Sequence, residues 1–252
     1  MRYDATMRTV VSLVFWGYIA LSCAWLFPLA LTIWLFTFWW DRRRFWLHRF
    51  SCLWAYHYAW LWPNCTIRWE GRENLTDDPV VYVSNHQSLA DILVLFGAFH
   101  HFKWVSKASI FKVPFIGWNM VLNRYVRLRR GDRKSIKEMM DACRMHLEEG
   151  SAVFLFPEGT RSKDGNLRDF KHGAFTLAAK AGCRVVPIVL DGTGAILPKE
   201  GFLMDLKKTS IRVRVLPPVN PDEAGGDPEA LTKLVKERIG DALQQMRAVE
   251  AA

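Results

Sequence analysis

The sequence predicts an α/β domain with a mostly parallel central sheet flanked by helices, preceded by an N-terminal membrane-embedded helical segment. Three observations lead there. A run of 32 residues, Thr9 to Trp40, carries no charge, longer than the ~20 residues needed to cross a hydrocarbon core. After Pro63 short β-rich runs alternate with helical stretches, the texture of an α/β sheet. Ten of the 12 tryptophans fall at or before Trp69, so the aromatic excess belongs to the region that would meet a membrane. At 252 residues, 50% hydrophobic and 23% charged, the chain is one large domain or two small ones, and collagen-like, low-complexity and disulfide-scaffold classes are excluded.

Taken in order, the apolar run comes first. Pro28 splits it, leaving two shapes open: one tilted span, or a hairpin of two short helices that dips into one leaflet and returns. A cleaved signal peptide fits poorly, because the run continues well past any small-residue cleavage site. Arg2 and Arg8 precede it, and Arg42, Arg43, Arg44 and Arg49 follow. The denser cluster follows, which places the next domain on the cytoplasmic side of the membrane. Phe45–Trp62 mixes aromatics with His48, Arg49, His57 and Tyr58. It reads as an interfacial amphipathic helix, although a core helix gives a similar pattern. Residues 1–62 thus form an anchoring segment and residues 63–252 the α/β domain.

In the α/β domain, Thr66–Glu70, Val80–Ser84, Lys103–Ser106, Tyr125–Leu128, Ala152–Phe156, Val185–Leu190 and Ile211–Leu216 read as strands, from β-branched and aromatic content bounded by turn residues. Leu89–Phe99, Lys134–Glu149 and Ala174–Ala181 read as helices. A polar turn at Asp222–Gly226 precedes a final amphipathic helix, Glu229 to Met246. In such a sheet, functional groups gather at strand ends and the loops that follow.

Lys and Arg exceed Asp and Glu by 34 − 25 = 9, which favours an anionic partner. Between Lys103 and Lys134 nine basic residues stand against one acid, Asp132. As structure alone this is a solvated basic face. Nucleic-acid binding is a poor match, since apolar residues interrupt the segment and a membrane anchor adjoins it. The five cysteines are odd in number and lack metal-ligand spacing, so they read as reduced thiols, and no metal site is expected.

Three segments can carry chemistry. The first, Ser84-Asn85-His86-Gln87-Ser88-Leu89-Ala90-Asp91, follows an apolar strand. It puts a histidine in a strand-to-helix loop and an aspartate in the first turns of the helix. An Asp on Nδ1 holds an imidazole in the tautomer of a general base, as in hydrolase triads, but no serine accompanies it. Such a pair would deprotonate a substrate's own hydroxyl. The bland alternative is a helix-capping Asp beside an incidental His. The second segment, Phe156-Pro157-Glu158-Gly159-Thr160-Arg161-Ser162, also follows an apolar strand. Gly159 allows close backbone approach and Arg161 can grip a phosphate bidentately; as structure alone it is a tight turn with a salt-bridged Glu158. In the third, Lys107 through Arg130, a Pro-x-x-Gly turn precedes a strand ending in basic residues. If Arg130 and Arg161 converge on the strand end bearing His86, a base stands beside a phosphate clamp.

Together these segments resemble the glycerolipid acyltransferase superfamily, most closely the 1-acylglycerol-3-phosphate (lysophosphatidic acid) acyltransferases. The resemblance rests on His86-x-x-x-x-Asp91, on Pro114-Phe115-Ile116-Gly117-Trp118 leading to Arg130, on Phe156 to Ser162 and on Val186-Pro187-Ile188, and covers about Val80 to Leu197. It implies that His86 is the catalytic base and Asp91 its orienting partner. Arg130 and Arg161 would bind substrate, with Lys107, Glu158, Gly159 and Thr160 around the acceptor pocket, and Val186-Pro187-Ile188 would line the acyl side. Arg124 stands where the resemblance puts a glycine, and Arg127, Arg129 and Arg130 make that block unusually basic. The implied activity moves an acyl chain from acyl-CoA or acyl-carrier protein to the sn-2 hydroxyl of lysophosphatidic acid. This makes phosphatidic acid for phospholipid biosynthesis, with no cofactor or metal and with membrane lipid and a lysophospholipid acceptor as partners. Another lysolipid, glycerol-3-phosphate, or a non-catalytic lipid-binding role are the alternatives.

Overall fold

A computed structural model describes residues 5–197 and 202–251; Arg2 lies outside them. The first element, α1 (Ala5–Thr37), is one continuous helix with Pro28 inside it. The hairpin of two short helices is therefore not formed. Proline removes one helical donor, but no charged residue follows to draw the chain out. Phe27 moreover packs its ring 5.9 Å from Phe115 and 5.4 Å from Trp118. The helix is long and apolar enough to cross a membrane, and only 11% of its most apolar window is buried. Its other face is fastened to the protein. Trp16 Nε1 donates to Phe202 O at 2.8 Å, Met204 N donates to Ser12 Oγ at 2.9 Å, and Ser22 Oγ meets Tyr58 Oη at 2.7 Å.

The next helix, α2 (Phe45–Trp60), begins where the Asp41 carboxylate accepts the Phe45 and Trp46 N–H groups at 2.9 and 3.0 Å, quieting the orphan donors of a helix start. It is a core helix on one face. Leu47, His48, Ser51 and Cys52 are buried, while Trp46, Leu53 and Trp60 are exposed. Of the polar residues that suggested an interface, His48 is satisfied inside, its Nδ1 meeting Tyr125 Oη at 2.8 Å and its Nε2 His100 O at 3.0 Å, whereas Arg49 is exposed.

The remainder runs β1 (Cys65–Glu70), β2 (Val81–Ser84), α3 (Ala90–Leu95), β3 (Phe102–Lys107), α4 (Ile116–Leu122), β4 (Val126–Leu128), α5 (Arg133–Glu148), β5 (Ala152–Leu155), α6 (Gly173–Ala181), β6 (Val185–Asp191), α7 (Thr193–Ile196), β7 (Thr209–Val215) and α8 (Pro228–Ala251). All seven expected strands form, within one or two residues at each end. The segment around Pro114 and Gly117, read as a turn, opens α4 instead.

The sheet order is β1-β7-β6-β2-β5-β3-β4. Every pair is parallel except β6 with β7. Both faces are covered, which is why the central strands read as unbroken apolar runs. Tyr82, Phe154, Val186 and Ile188 face one cluster with α2 and α3; Val81, Val83, Val153 and Val189 face the other, with α5, α6 and α8. Because β2 lies between parallel β5 and β6, the C-terminal ends of all three open on one edge, where a parallel sheet offers its crevice.

Lys103, counted above in a basic face, is fully buried on β3. Its Nζ donates to Arg43 O at 2.6 Å and Asn123 O at 2.8 Å. Burial, then the like charge of Arg124, pushes this ammonium down to about 7. Replacing it by methionine keeps volume but strands two carbonyls. Lys103→Met is expected to cost about 2–4 kcal/mol of stability, against less than about 0.5 kcal/mol for Lys107→Met at an exposed position; thermal unfolding of the two variants in detergent measures the difference.

Candidate active site

The loop after β2 is held by its own side chains. Asn85 grips one residue of β6 at both ends: Leu190 N donates to Asn85 Oδ1 at 2.9 Å and Asn85 Nδ2 donates to Leu190 O at 2.7 Å. Gln87 Nε2 adds a bond to Leu190 O at 3.2 Å, and Ser88 Oγ donates to Leu197 O at 2.6 Å. These bonds turn the backbone so that the N–H groups of Gln87 and Ser88 point at Asp91 Oδ2, 2.6 and 2.9 Å away. That same oxygen lies 2.7 Å from His86 Nδ1. Asp91 is fully buried and His86 nearly so. An oxygen that already receives two backbone N–H groups is an acceptor, and it accepts from Nδ1–H as well. That fixes the tautomer and leaves the lone pair on Nε2, which has no hydrogen-bond partner among the described residues. The imidazole lies flat on Phe156, ring centroids 4.0 Å apart and 15° from parallel. An imidazole held this way can take a proton at Nε2 from a hydroxyl.

The loop after β5 completes the setting. Glu158 forms no ion pair among the described residues, contrary to the salt-bridged turn. Its Oε1 accepts His86 N–H at 2.9 Å and its Oε2 the Arg168 N–H at 3.3 Å. It braces the backbone of His86 from below, and burial pushes its carboxyl up to about 7. Gly159 closes the turn at φ 69°, a left-handed conformation that costs a glycine little. Lys171 approaches its Cα side within 3.0 Å of where a Cβ would stand. Ser162 N donates to His86 O at 2.7 Å, so Arg161 and half-buried Thr160 stand directly beside the His86 loop.

Arg130, on the loop after β4, is pushed down in pKa first by burial and then by the charge of Arg161. The charge of Arg161 thus reaches Arg130. Lys107 ends β3 and is exposed. The other arginines of the basic block are engaged elsewhere. Arg124 adopts φ 59°, which explains a glycine preference at that place; it bonds Glu149 Oε1 and Arg42 O, both at 2.9 Å. Arg127 lies over the Phe111 ring at 4.8 Å and Arg129 pairs with Asp132 at 3.2 Å. Val186 and Ile188 are fully buried in the core, so they line no open surface.

One contact was not foreseen: Thr193 Oγ1 donates to Asp91 Oδ1. The signal for it was the Asp191-Gly192 turn directly after an apolar strand, the same position the other two loops occupy. Among the described residues no group of three or more His, Cys, Asp or Glu side chains is placed to hold a metal ion.

A family model described as Acyltransferase matches residues 66–191. The chain is 46% identical over 187 residues to the chloroplastic 1-acyl-sn-glycerol-3-phosphate acyltransferase LPAT1 of Arabidopsis thaliana, covering 73% of this chain and 51% of that protein. It is 50% identical over 152 residues to a 1-acyl-sn-glycerol-3-phosphate acyltransferase of Chlamydomonas reinhardtii, covering 59% and 46%. The chain thus spans about half the length of the curated relatives it matches. Among solved structures it resembles the 1-acyl-sn-glycerophosphate acyltransferase PlsC from Thermotoga maritima, with a TM-score of 0.75, 26% identity, and coverage of 96% of this chain and 98% of that one.

The raised carboxyl of Glu158 has a stability consequence. Its folded pKa of about 7 exceeds the ordinary 4.5, so its contribution is full below about pH 4.5 and is lost as pH rises through about 7. Glu158→Gln is expected to abolish this loss, worth up to about 3 kcal/mol; melting temperatures of parent and variant compared from pH 4.5 to 8 should diverge in favour of the variant as pH rises.

Proposed function

The chain belongs to the acyltransferase family, and on that premise we propose that it transfers an acyl chain from an acyl thioester to the sn-2 hydroxyl of lysophosphatidate, giving phosphatidate. The observation that carries this reading is the His86–Asp91 pair, with Nδ1 committed to a buried carboxylate and Nε2 open. His86 Nε2 accepts the hydroxyl proton as the oxygen attacks the thioester carbonyl. The tetrahedral oxyanion then collapses, the C–S bond breaks, and the departing thiolate takes the proton back from His86. No covalent enzyme intermediate forms. A positioned base supplies about 10² to 10⁴ of the rate, and holding the two substrates together supplies much of the rest.

Arg130 and Arg161 receive the acceptor phosphate, which offsets the repulsion between their neighbouring charges. Lys107, Gly159 and Thr160 border that pocket, and Glu158 fixes its floor through the His86 backbone. The donor is acyl-CoA or acyl-carrier protein. The lipid-facing helix α1 suits a lysolipid acceptor, which reaches the site from the bilayer surface. The arginines at 42–44 and 49 favour a cytoplasmic catalytic face; no cofactor is needed for this chemistry.

Purified protein in detergent, assayed for thiol release, is expected to acylate lysophosphatidate faster than glycerol-3-phosphate. His86→Ala should lower kcat by about 10² or more in protein shown by circular dichroism to be folded at the assay temperature, with a lowered melting temperature because Asp91 loses a donor and Phe156 its stacking partner. A parental rate in that variant would overturn the proposed chemistry, and faster turnover of glycerol-3-phosphate or of another lysolipid would overturn the acceptor.

A further inference from the structure

Asp91 has two oxygens with different duties. Oδ2 accepts three donors: His86 Nδ1 and the N–H groups of Gln87 and Ser88. Oδ1 accepts the Thr193 hydroxyl. The residue is wholly shielded from solvent, so a carboxylate oxygen without a protein partner would carry a large desolvation cost. The carboxylate would relieve that cost by rotating about its Cβ–Cγ bond, and every degree of rotation moves Oδ2 out of line with Nδ1.

The fold holds Thr193 there with evident effort. Gly192 sits at φ 92°, and a Cβ on it would lie 2.4 Å from Ser210 O, so the chain turns sharply against β7 before delivering the threonine. The residue before the turn, Asp191, is bonded by Arg247 Nη2 at 3.1 Å, Arg212 Nη2 at 3.4 Å and Gln87 Nε2 at 3.4 Å. After it, Leu197 N donates to Thr193 O at 3.2 Å while Leu197 O receives Ser88 Oγ. The corner bearing Thr193 is thereby pinned on both sides to the two residues that follow His86.

We infer that Thr193 is a positioning residue of the His86–Asp91 pair: by holding Oδ1 it fixes the carboxylate plane, so that Oδ2 stays aimed at Nδ1 and the imidazole keeps Nε2 toward the reacting hydroxyl. Thr193 touches no substrate in this role. It acts through Asp91, and the inference rests on the proposed use of His86 as base.

The test is a double-mutant cycle on the full chain in detergent, with lysophosphatidate as acceptor. Thr193→Val keeps shape and removes the hydroxyl; it is expected to lower kcat about 10-fold while KM moves less than about two-fold. Thr193→Ser, which restores the donor, should keep more than about half of the parental kcat. In an Asp91→Asn background, valine at 193 should cost nothing further, because the group it steers is gone. Should the valine variant fail to fold, Thr193→Ala set against Thr193→Ser makes the same comparison. An unchanged kcat in Thr193→Val, a serine variant as slow as valine, or a full additional 10-fold loss on Asp91→Asn would each overturn the inference. Failure of the underlying reading is separate: it shows as parental activity in His86→Ala, where position 193 is untouched.

Discussion

A buried carboxylate that has gathered its donors before any substrate arrives is the constraint on which the rest of this structure depends. Asp91 cannot be hydrated, so its charge is tolerable only because the loop carrying His86 is bent to present N–H groups to it. That bend in turn is enforced from outside the loop, by Asn85 and Gln87 on β6, by Ser88 on the segment after α7, and by Glu158 on the backbone of His86. Three stretches of chain far apart in sequence, around His86, Glu158 and Leu190 to Leu197, therefore share one electrostatic problem. The imidazole is oriented as a by-product of solving it.

The sheet makes such convergence possible. With β2 flanked by parallel β5 and β6, the three following loops leave the same edge. Each strand is short and buried on both faces, so it works as a spacer of fixed length between core and loop. The aromatic layer of Tyr82, Trp104, Phe154 and Phe156 continues upward to the face of His86, giving the ring a flat support that excludes water from one side.

Much of this was legible in the residues. The central strands announce themselves because full burial demands uninterrupted apolar runs, and the His86 and Arg161 loops are marked by polar residues stacked immediately after such runs. What escaped was decided by partners distant in sequence. Lys103 looks like any surface lysine until the carbonyls of Arg43 and Asn123 surround it. His48 looks interfacial until Tyr125 and the His100 carbonyl accept it into the core. Pro114 and Gly117 signal a break, yet a proline just ahead of a helix is compatible with starting one, and α4 begins there. Arg124 stands in a left-handed conformation that side chains avoid, and only its bonds to Glu149 and the Arg42 carbonyl explain its presence. Thr193 is one hydroxyl among many in the sequence; its meaning comes from a corner whose shape depends on β7.

The Lys103 ammonium has a mechanical consequence. By seizing a carbonyl of the α1–α2 connection and another beyond α4, with Arg43 reaching Gly150 O at 2.8 Å, it ties the long apolar helix to the frame of the sheet. The greasy helix is thus no leash on which a globular head swings. The elevation of the imidazole above whatever plane α1 occupies is built into the rigid body, like the height of a fixed nozzle over a bath.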